Sequence, residues 1–152
     1  MQYEVVNLEE KSVAGLSART NNASPEMGKV IGGLWKSFYE ADCYPQIPGK
    51  LNHKALGIYT DYEEDEKADY TVMVACEVEE TEQMPQTVVV SKIPAGPYAK
   101  FVVKGNMLKA VQDFWQELWN MDLPRAFTCD FEEYQNADPD NAEIHIYIGL
   151  KK

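Results

Sequence analysis

The sequence of 152 residues is poor in the side chains that build metal sites and disulfide frameworks. It has three cysteines, Cys43, Cys76 and Cys129, and two histidines, His53 and His145. No two cysteines stand in a Cys-x-x-Cys pair, and no His-Glu-x-x-His motif is present. Because zinc sites and disulfide frameworks depend on such spacings, we expect no metal, no cofactor and no disulfide. The unpaired thiols favour a reducing compartment, the cytoplasm.

Specific catalytic motifs are also missing. The sequence contains no Gly-x-Ser-x-Gly, no Gly-x-x-x-x-Gly-Lys-Ser/Thr and no Gly-x-Gly-x-x-Gly. Residues 28–33 are rich in glycine, but they lie inside a helical pattern, and the strand that precedes a phosphate-binding loop is absent. We therefore interpret these glycines as positions of close packing.

Positive charge is scarce, since the sequence has 14 Lys and Arg against 25 Asp and Glu, which gives a net charge of −11. Proteins that bind nucleic acids need Lys and Arg to replace phosphate counterions, so we expect no direct binding to nucleic acid. Anionic membrane surfaces are disfavoured for the same reason, and neither a membrane span nor a secretion signal is recognisable. The charge favours cationic partners, although an acidic surface that only keeps the protein soluble is the alternative.

Two stretches show the apolar periodicity of amphipathic helices. The first begins after Ser24, which we predict to be the N-cap, with Pro25 as the first helical residue, and its apolar positions run from 27 to 38. The second follows Asn106, a predicted N-cap, and its apolar positions run from 107 to 119. The 3 Trp, 9 Tyr and 5 Phe and the length of the chain indicate one globular domain over residues 1–152.

Eight further stretches have the composition or the alternation of β-strands. They are residues 3–8, 12–20, 54–62, 70–78, 87–93, 98–103, 126–134 and 142–150. Residues 1–80 and 87–152 repeat one order of elements, which indicates duplicated β-α-β-β units. We predict an α+β fold with a largely antiparallel sheet, two main helices over it, and a ligand cleft between the helices.

One strand carries a carboxylate that is a candidate for ligand binding. Period-2 alternation places Asp130, Glu132 and Tyr134 on one face. A carboxylate on an inner face needs a partner, so Glu132 is either neutralised there or available to a cation; a solvated strand face is the alternative. On the last strand Tyr147 lies opposite the isoleucines, and we expect it to join Glu132 at the cleft.

Tryptophans occur on both predicted helices, Trp35 on the first and Trp115 and Trp119 on the second. Aromatic residues at helical spacing commonly pack in a core. The functional interpretation is that some of them line the cleft, where their ring faces bind cations and flat heterocycles.

Five segments resemble the GyrI-like, AraC-type effector-binding domain family, and within it the stand-alone integron-cassette effector-binding proteins. They are residues 13–20, 31–38, 55–62, 93–101 and 131–134. The resemblance implies the duplicated fold and a cleft for small, cationic, amphipathic compounds with a buried glutamate as counter-ion. Its Phe-Glu-x-Tyr motif singles out Glu132 rather than Glu133, and Trp35 and Tyr59 match its aromatic positions. Members are commonly fused to a DNA-binding domain, whereas we expect a lone bacterial ligand-binding domain here.

Two alternative functions stay open at this point. The first is a small hydrolase of reactive electrophiles, with Glu132 activating water and Tyr134 or Tyr147 assisting. The second is a protein-interaction module similar to the gyrase inhibitors, in which the acidic stretches 61–66 and 77–82 imitate a phosphate backbone. Solvated acidic loops are the simpler interpretation of those stretches. The sequence identifies no protein partner.

Overall fold

The computed structural model describes residues 2–21, 27–39, 43–63, 68–79, 84–86, 88–136 and 138–151. These residues form two α-helices, one short 3₁₀ turn and eight β-strands. The bounds are β1 Glu4–Leu8, β2 Lys11–Thr20, α1 Met27–Phe38, the 3₁₀ turn Tyr44–Gln46, β3 Lys50–Thr60, β4 Tyr70–Val78, β5 Val89–Ile93, β6 Gly96–Gly105, α2 Met107–Trp119, β7 Arg125–Tyr134 and β8 Ala142–Leu150. The predicted succession of elements is confirmed. Ser24, Pro25 and Thr87, which the sequence places at the starts of elements, lie outside the described residues.

The eight described strands form one antiparallel sheet in the order β1-β6-β8-β7-β3-β4-β2-β5. The halves of the chain meet at its centre, where β3 pairs with β7. At each edge the first strand of one half pairs with the other half, β1 with β6 and β5 with β2. The predicted α+β fold with a largely antiparallel sheet is therefore confirmed. Neither described helix has the length and apolarity that crossing a bilayer requires.

Both helices pack on the same face of the sheet. Phe38 of α1 is fully buried in a cluster that includes Val74 of β4. Phe114 and Leu118 of α2 are buried in a cluster that includes Ile146 of β8. Burial of a large apolar side chain contributes roughly 1.5–3 kcal/mol, so these anchors hold each helix on its own half of the sheet.

The start of α2 is fixed by its predicted cap. The Asn106 side-chain oxygen accepts a hydrogen bond from the backbone N–H of Lys109 at 3.1 Å. This bond satisfies one of the amide groups that the first turn of a helix leaves without an intrahelical partner.

The opposite face of the sheet is buried without a helix. Its core contains Ile58 and Phe131 from the central strands, Ile93 from the β5 edge, and the partly buried Val6 and Leu8 from the β1 edge. Because residues of both edges pack against the centre, the sheet curves around this cluster. One face of the sheet is thus buried by the curvature of the sheet itself, and the other face is covered by the two helices.

The strands β3 and β6 differ from the sequence prediction at their ends. β3 begins at Lys50 rather than at residue 54, because a register irregularity between Lys50 and Ala55 lets the earlier residues pair with β4. It ends at Thr60, before Asp61, whose φ of 50° breaks the extended backbone. β6 continues past the predicted residue 103 to Gly105, whose φ of 125° suits glycine and ends the strand.

Candidate functional site

A cavity of about 1250 Å³ lies between the two helices and the central strands. One wall is formed by α1, including Ile31 and Trp35, and the other by α2, including Val111 and Trp115. Glu132 and the neighbouring residues of β3 and β7 form the floor. The cleft therefore lies where the order of elements predicts it, above the junction of the two halves.

Glu132 is the central polar group of the floor, and its side chain is only 2% exposed. It accepts three hydrogen bonds from neutral donors. The hydroxyl of Tyr134 donates to Oε1 at 2.8 Å. The indole Nε1–H of Trp115 donates to Oε2 at 2.9 Å, and the hydroxyl of Tyr59 donates to the same oxygen at 3.1 Å. The carboxyl group is thus held in one position without a positively charged partner among these three donors.

Burial controls the titration of this cluster. Burial raises the pKa of Glu132 above its usual value, and the hydrogen bonds from Trp115, Tyr134 and Tyr59 oppose that rise. Burial, followed by the nearby Glu132 charge, raises the pKa of both tyrosines well above the ordinary range. The two hydroxyls therefore stay protonated and act as donors to the carboxyl group.

Gly57 makes room for the carboxyl group. It lies directly opposite Glu132 in the pairing of β3 with β7. A Cβ atom at this position would lie 2.9 Å from Glu132 Oε1 and 3.4 Å from Cζ2 of Trp35. The glycine is therefore required by close approach, and an alternation pattern, which looks for side chains, gives no signal for it.

Aromatic rings surround the carboxyl group on both sides. Trp35 meets Tyr134 edge to face, with ring centroids 5.1 Å apart, and Trp115 meets Tyr59 in the same way at 5.3 Å. Tyr70, a residue that the sequence analysis did not select, packs against Tyr59 at 5.9 Å, and burial raises its pKa to about 12. Edge-to-face pairs of this kind stabilise one another and keep the rings ordered around the site.

A second carboxylate, Asp130, is fully buried on the same strand. It accepts hydrogen bonds from the Tyr62 hydroxyl at 2.6 Å, from Arg125 at 2.8 Å and from the backbone N–H of Gly149 at 2.8 Å. Burial raises its pKa, while the charge of Arg125 is the first of several effects that lower it. Asp130 thus has a charged partner of its own, which distinguishes it from Glu132. The pairing of β7 with β8 is irregular between Arg125 and Asp130, and the sequence gives no sign of this irregularity.

The structure brings together five of the six predicted site residues. They are Trp35, Tyr59, Trp115, Glu132 and Tyr134, all of which line the cavity. Trp119 also lines it, at an edge where the ring is 45% exposed.

The sixth residue, Tyr147, lies on the other face of the sheet. Glu132 pairs directly with Ile146, so the isoleucines of β8 share the face of Glu132 and Tyr147 points away from it. Its ring stacks on Phe131 at a centroid distance of 4.7 Å. The expectation that Tyr147 joins Glu132 at the cleft is wrong, because alternation orders the residues of one strand without fixing its register against the next.

The sequence model of the integron-associated effector binding proteins, Cass2, matches residues 4–150. The chain belongs to this family. A relative of this chain is YobU of Bacillus subtilis (strain 168), whose name proposes a role as a transcriptional regulator; it is 33% identical over 156 residues, with 97% of each chain covered. Membership in an effector-binding family makes the chain a small-molecule-binding protein.

Solved structures share the same architecture. The integron cassette protein VCH_CASS2 of Vibrio cholerae superposes with a TM-score of 0.80 at 32% identity, covering 98% of this chain and 95% of the other. The protein SAV2435, solved with tetraphenylphosphonium bound, superposes with a TM-score of 0.79 at 20% identity, covering 99% of this chain and 94% of the other. The first supports the effector binding family assignment, and the second shows the shared fold.

Proposed function

We propose that this effector binding protein binds small, cationic, amphipathic molecules with aromatic groups, and that Glu132 is their counter-ion. Trp35 and Trp115 supply aromatic walls, and Tyr59 and Tyr134 supply aromatic rings on the floor beside Glu132. The observation that carries the proposal is the carboxyl group of Glu132, which is 2% exposed, lies on the floor of a large cavity and receives hydrogen bonds from neutral donors. Asp130 nearby, in contrast, is already paired with Arg125.

The surroundings of Glu132 strengthen the attraction to a cation. A charge pair interacts more strongly in a poorly polarisable environment than in water, because fewer solvent dipoles screen it. The three hydrogen bonds position the carboxylate before the ligand arrives, so little reorganisation opposes binding. Aromatic faces contribute a further ~0.5–2 kcal/mol each when a cation lies over them.

Two further observations support a cationic ligand. The net charge of −11 produces a potential that attracts cations toward the protein. The neighbouring structure of SAV2435 contains tetraphenylphosphonium, a lipophilic cation, in a protein of the same fold.

The test compares two adjacent glutamates. Glu133 lies on the same strand, faces the other side of the sheet, and accepts a hydrogen bond from Gln135 at 2.8 Å. We expect Glu132→Gln to weaken tetraphenylphosphonium binding at least about tenfold, and the matched Glu133→Gln to change it less than about twofold. Isothermal titration calorimetry measures both affinities, and thermal unfolding confirms that both variants fold.

Two results would contradict the proposal. One is a wild-type protein that binds no tetraphenylphosphonium in the titration. The other is an equal loss of affinity in the two variants, since a general reduction of negative charge would then explain the effect.

A further inference from the structure

Two tyrosines are related by the pairing of the central strands. Tyr59 follows Gly57 by two residues on β3, and Tyr134 follows Glu132 by two residues on β7. Gly57 and Glu132 are directly paired and the strands are antiparallel, so the tyrosines lie on the same face, on opposite sides of that pair. The carboxyl group is therefore flanked by one tyrosine in each strand direction.

Each of these tyrosines meets a tryptophan from the other half of the chain. Tyr134 meets Trp35 of α1 at 5.1 Å with an interplanar angle of 76°, and Tyr59 meets Trp115 of α2 at 5.3 Å with an angle of 72°. The two Trp–Tyr pairs thus have nearly the same geometry. They are similar ring pairs on either side of Glu132, although only Trp115 donates a hydrogen bond to its carboxyl group among the described contacts.

The centre itself is not symmetric. Glu132 occupies one of the two paired positions, and Gly57 occupies the other. Since even a methyl group at Gly57 would lie 2.9 Å from Oε1 of Glu132, only one carboxyl group fits between the two Trp–Tyr pairs. The cavity therefore has a single negative group at its middle and an aromatic pair on each side.

From this arrangement we infer that the site selects cations whose charge lies between two aromatic groups. This inference rests on the proposed function and narrows its ligand class. Each aromatic group packs on one Trp–Tyr pair while the charge lies near Glu132, whereas a cation with one aromatic group uses only one pair. The cavity of about 1250 Å³ has room for both, since ordinary ligand pockets measure roughly 300–1,000 Å³.

The experiment uses three quaternary ammonium ions that differ in one arm. Dibenzyldimethylammonium has an aromatic group on each side of the charge, and benzyltrimethylammonium has one. Benzylheptyldimethylammonium has one aromatic group and an alkyl arm of matched carbon number. We expect the dibenzyl cation to bind about tenfold more tightly than either of the others in calorimetric titrations.

A variant of one pair tests whether the preference comes from the two pairs. Trp35 contacts Tyr134 but donates no hydrogen bond to Glu132 among the contacts that the structure describes. Trp35→Leu is expected to bring the affinities of the dibenzyl and single-benzyl cations within about threefold of one another. Trp35→Phe, which retains a ring, is expected to restore most of the preference, and it serves as the reference if the leucine variant unfolds.

The outcomes separate this inference from the proposed function. If the dibenzyl and single-benzyl cations bind wild type with equal affinity, the inference is overturned. If Glu132→Gln also loses binding of both cations, the proposed function still stands. A heptyl cation that equals the dibenzyl cation would also overturn it, because apolar area alone would then explain the affinity. If neither these cations nor tetraphenylphosphonium binds, the proposed function fails and the inference fails with it.

Discussion

Two carboxyl groups on one face of β7 differ in what surrounds them. Asp130 receives hydrogen bonds from Arg125, Tyr62 and the backbone of Gly149, so its charge is balanced inside the protein. Glu132 is almost as deeply buried but receives hydrogen bonds from neutral groups. The same residue chemistry therefore produces a structural ion pair at one position and a candidate ligand site two residues later.

The raised pKa of Glu132 predicts how its ionisation affects stability. The unfolded chain has a value near 4.5, and burial raises the folded value above it. In the interval between them the folded chain binds more protons, so the free energy of unfolding falls as the pH rises. We expect wild type to lose stability relative to Glu132→Gln in urea titrations as the pH rises from about 4.5 through the raised pKa of Glu132, because Asp130 contributes equally to both proteins. A difference that does not change with pH would contradict this expectation.

The sequence identifies most single residues of the candidate site but not their neighbours. Alternation and the family motif point to Glu132, and helical periodicity places Trp35 and Trp115 on two helices. The sequence places Tyr147 on the wrong face because the register of β8 against β7 depends on pairing between distant segments. Gly57 gives no signal for a related reason, since its role is the space that it leaves for a residue of another strand.

At the scale of elements, α1 is an intrinsically weak helix. It contains Gly28, Gly32 and Gly33 within its 12 residues, and apart from the neighbouring backbone of the helix itself, a Cβ atom added at any of the three would meet nothing within 4 Å among the described residues. The interpretation of these glycines as positions of close packing is therefore wrong. Gly28 and Gly32 line the cavity, so they widen it at the expense of helix stability. The helix therefore depends on its buried anchors, such as Phe38, to stay on the sheet.

A substitution at the third glycine is expected to stabilise α1. Gly33 is exposed and is not among the residues that line the cavity. Gly33→Ala is expected to raise the free energy of unfolding by about 0.8–1 kcal/mol in urea titrations and to leave cation affinity unchanged. The matched variant Gly32→Ala has the same gain in helix propensity but adds a methyl group to the cavity wall. A destabilised Gly33→Ala variant would show that this explanation of α1 is wrong.

The sequence predicts the strands and helices themselves, whereas it predicts their ends and their pairing partners less well. Periodicities of two and of about 3.6 residues identify the strands and helices, and Asn106 marks the start of α2. The early start of β3 depends on an irregular pairing with β4 that no local pattern contains. The sequence likewise does not predict that β1 pairs with β6 and β5 with β2, because each pairing joins distant segments from the two halves.

At the scale of the whole molecule, the proposed function assigns the acidic surface and the buried carboxyl group to different stages of binding. The net charge of −11 attracts cations over distances that salt screens, and Glu132 acts at close range inside the cavity. The long-range part affects the rate of encounter, and the short-range part affects how long the ligand stays.

Salt is therefore expected to change one rate constant more than the other. Stopped-flow measurements of tryptophan fluorescence with tetraphenylphosphonium should show an association rate that falls severalfold between about 0.02 and about 0.3 M salt. The dissociation rate should change less than about twofold, because the buried charge is poorly accessible to ions. A salt effect confined to dissociation would contradict this division of roles.

The hydrogen bonds of Glu132 have a consequence for how such a protein diversifies. Its carboxyl group connects Tyr59 of the first half with Trp115 and Tyr134 of the second, so its loss would remove hydrogen bonds between the halves as well as the proposed ligand contact. Wall residues such as Ile31 and Val111 belong to no such junction and face the same cavity. On the proposed function, substitutions at such wall residues of the two helices would therefore change which compounds the cavity accepts without removing any of the three hydrogen bonds to Glu132.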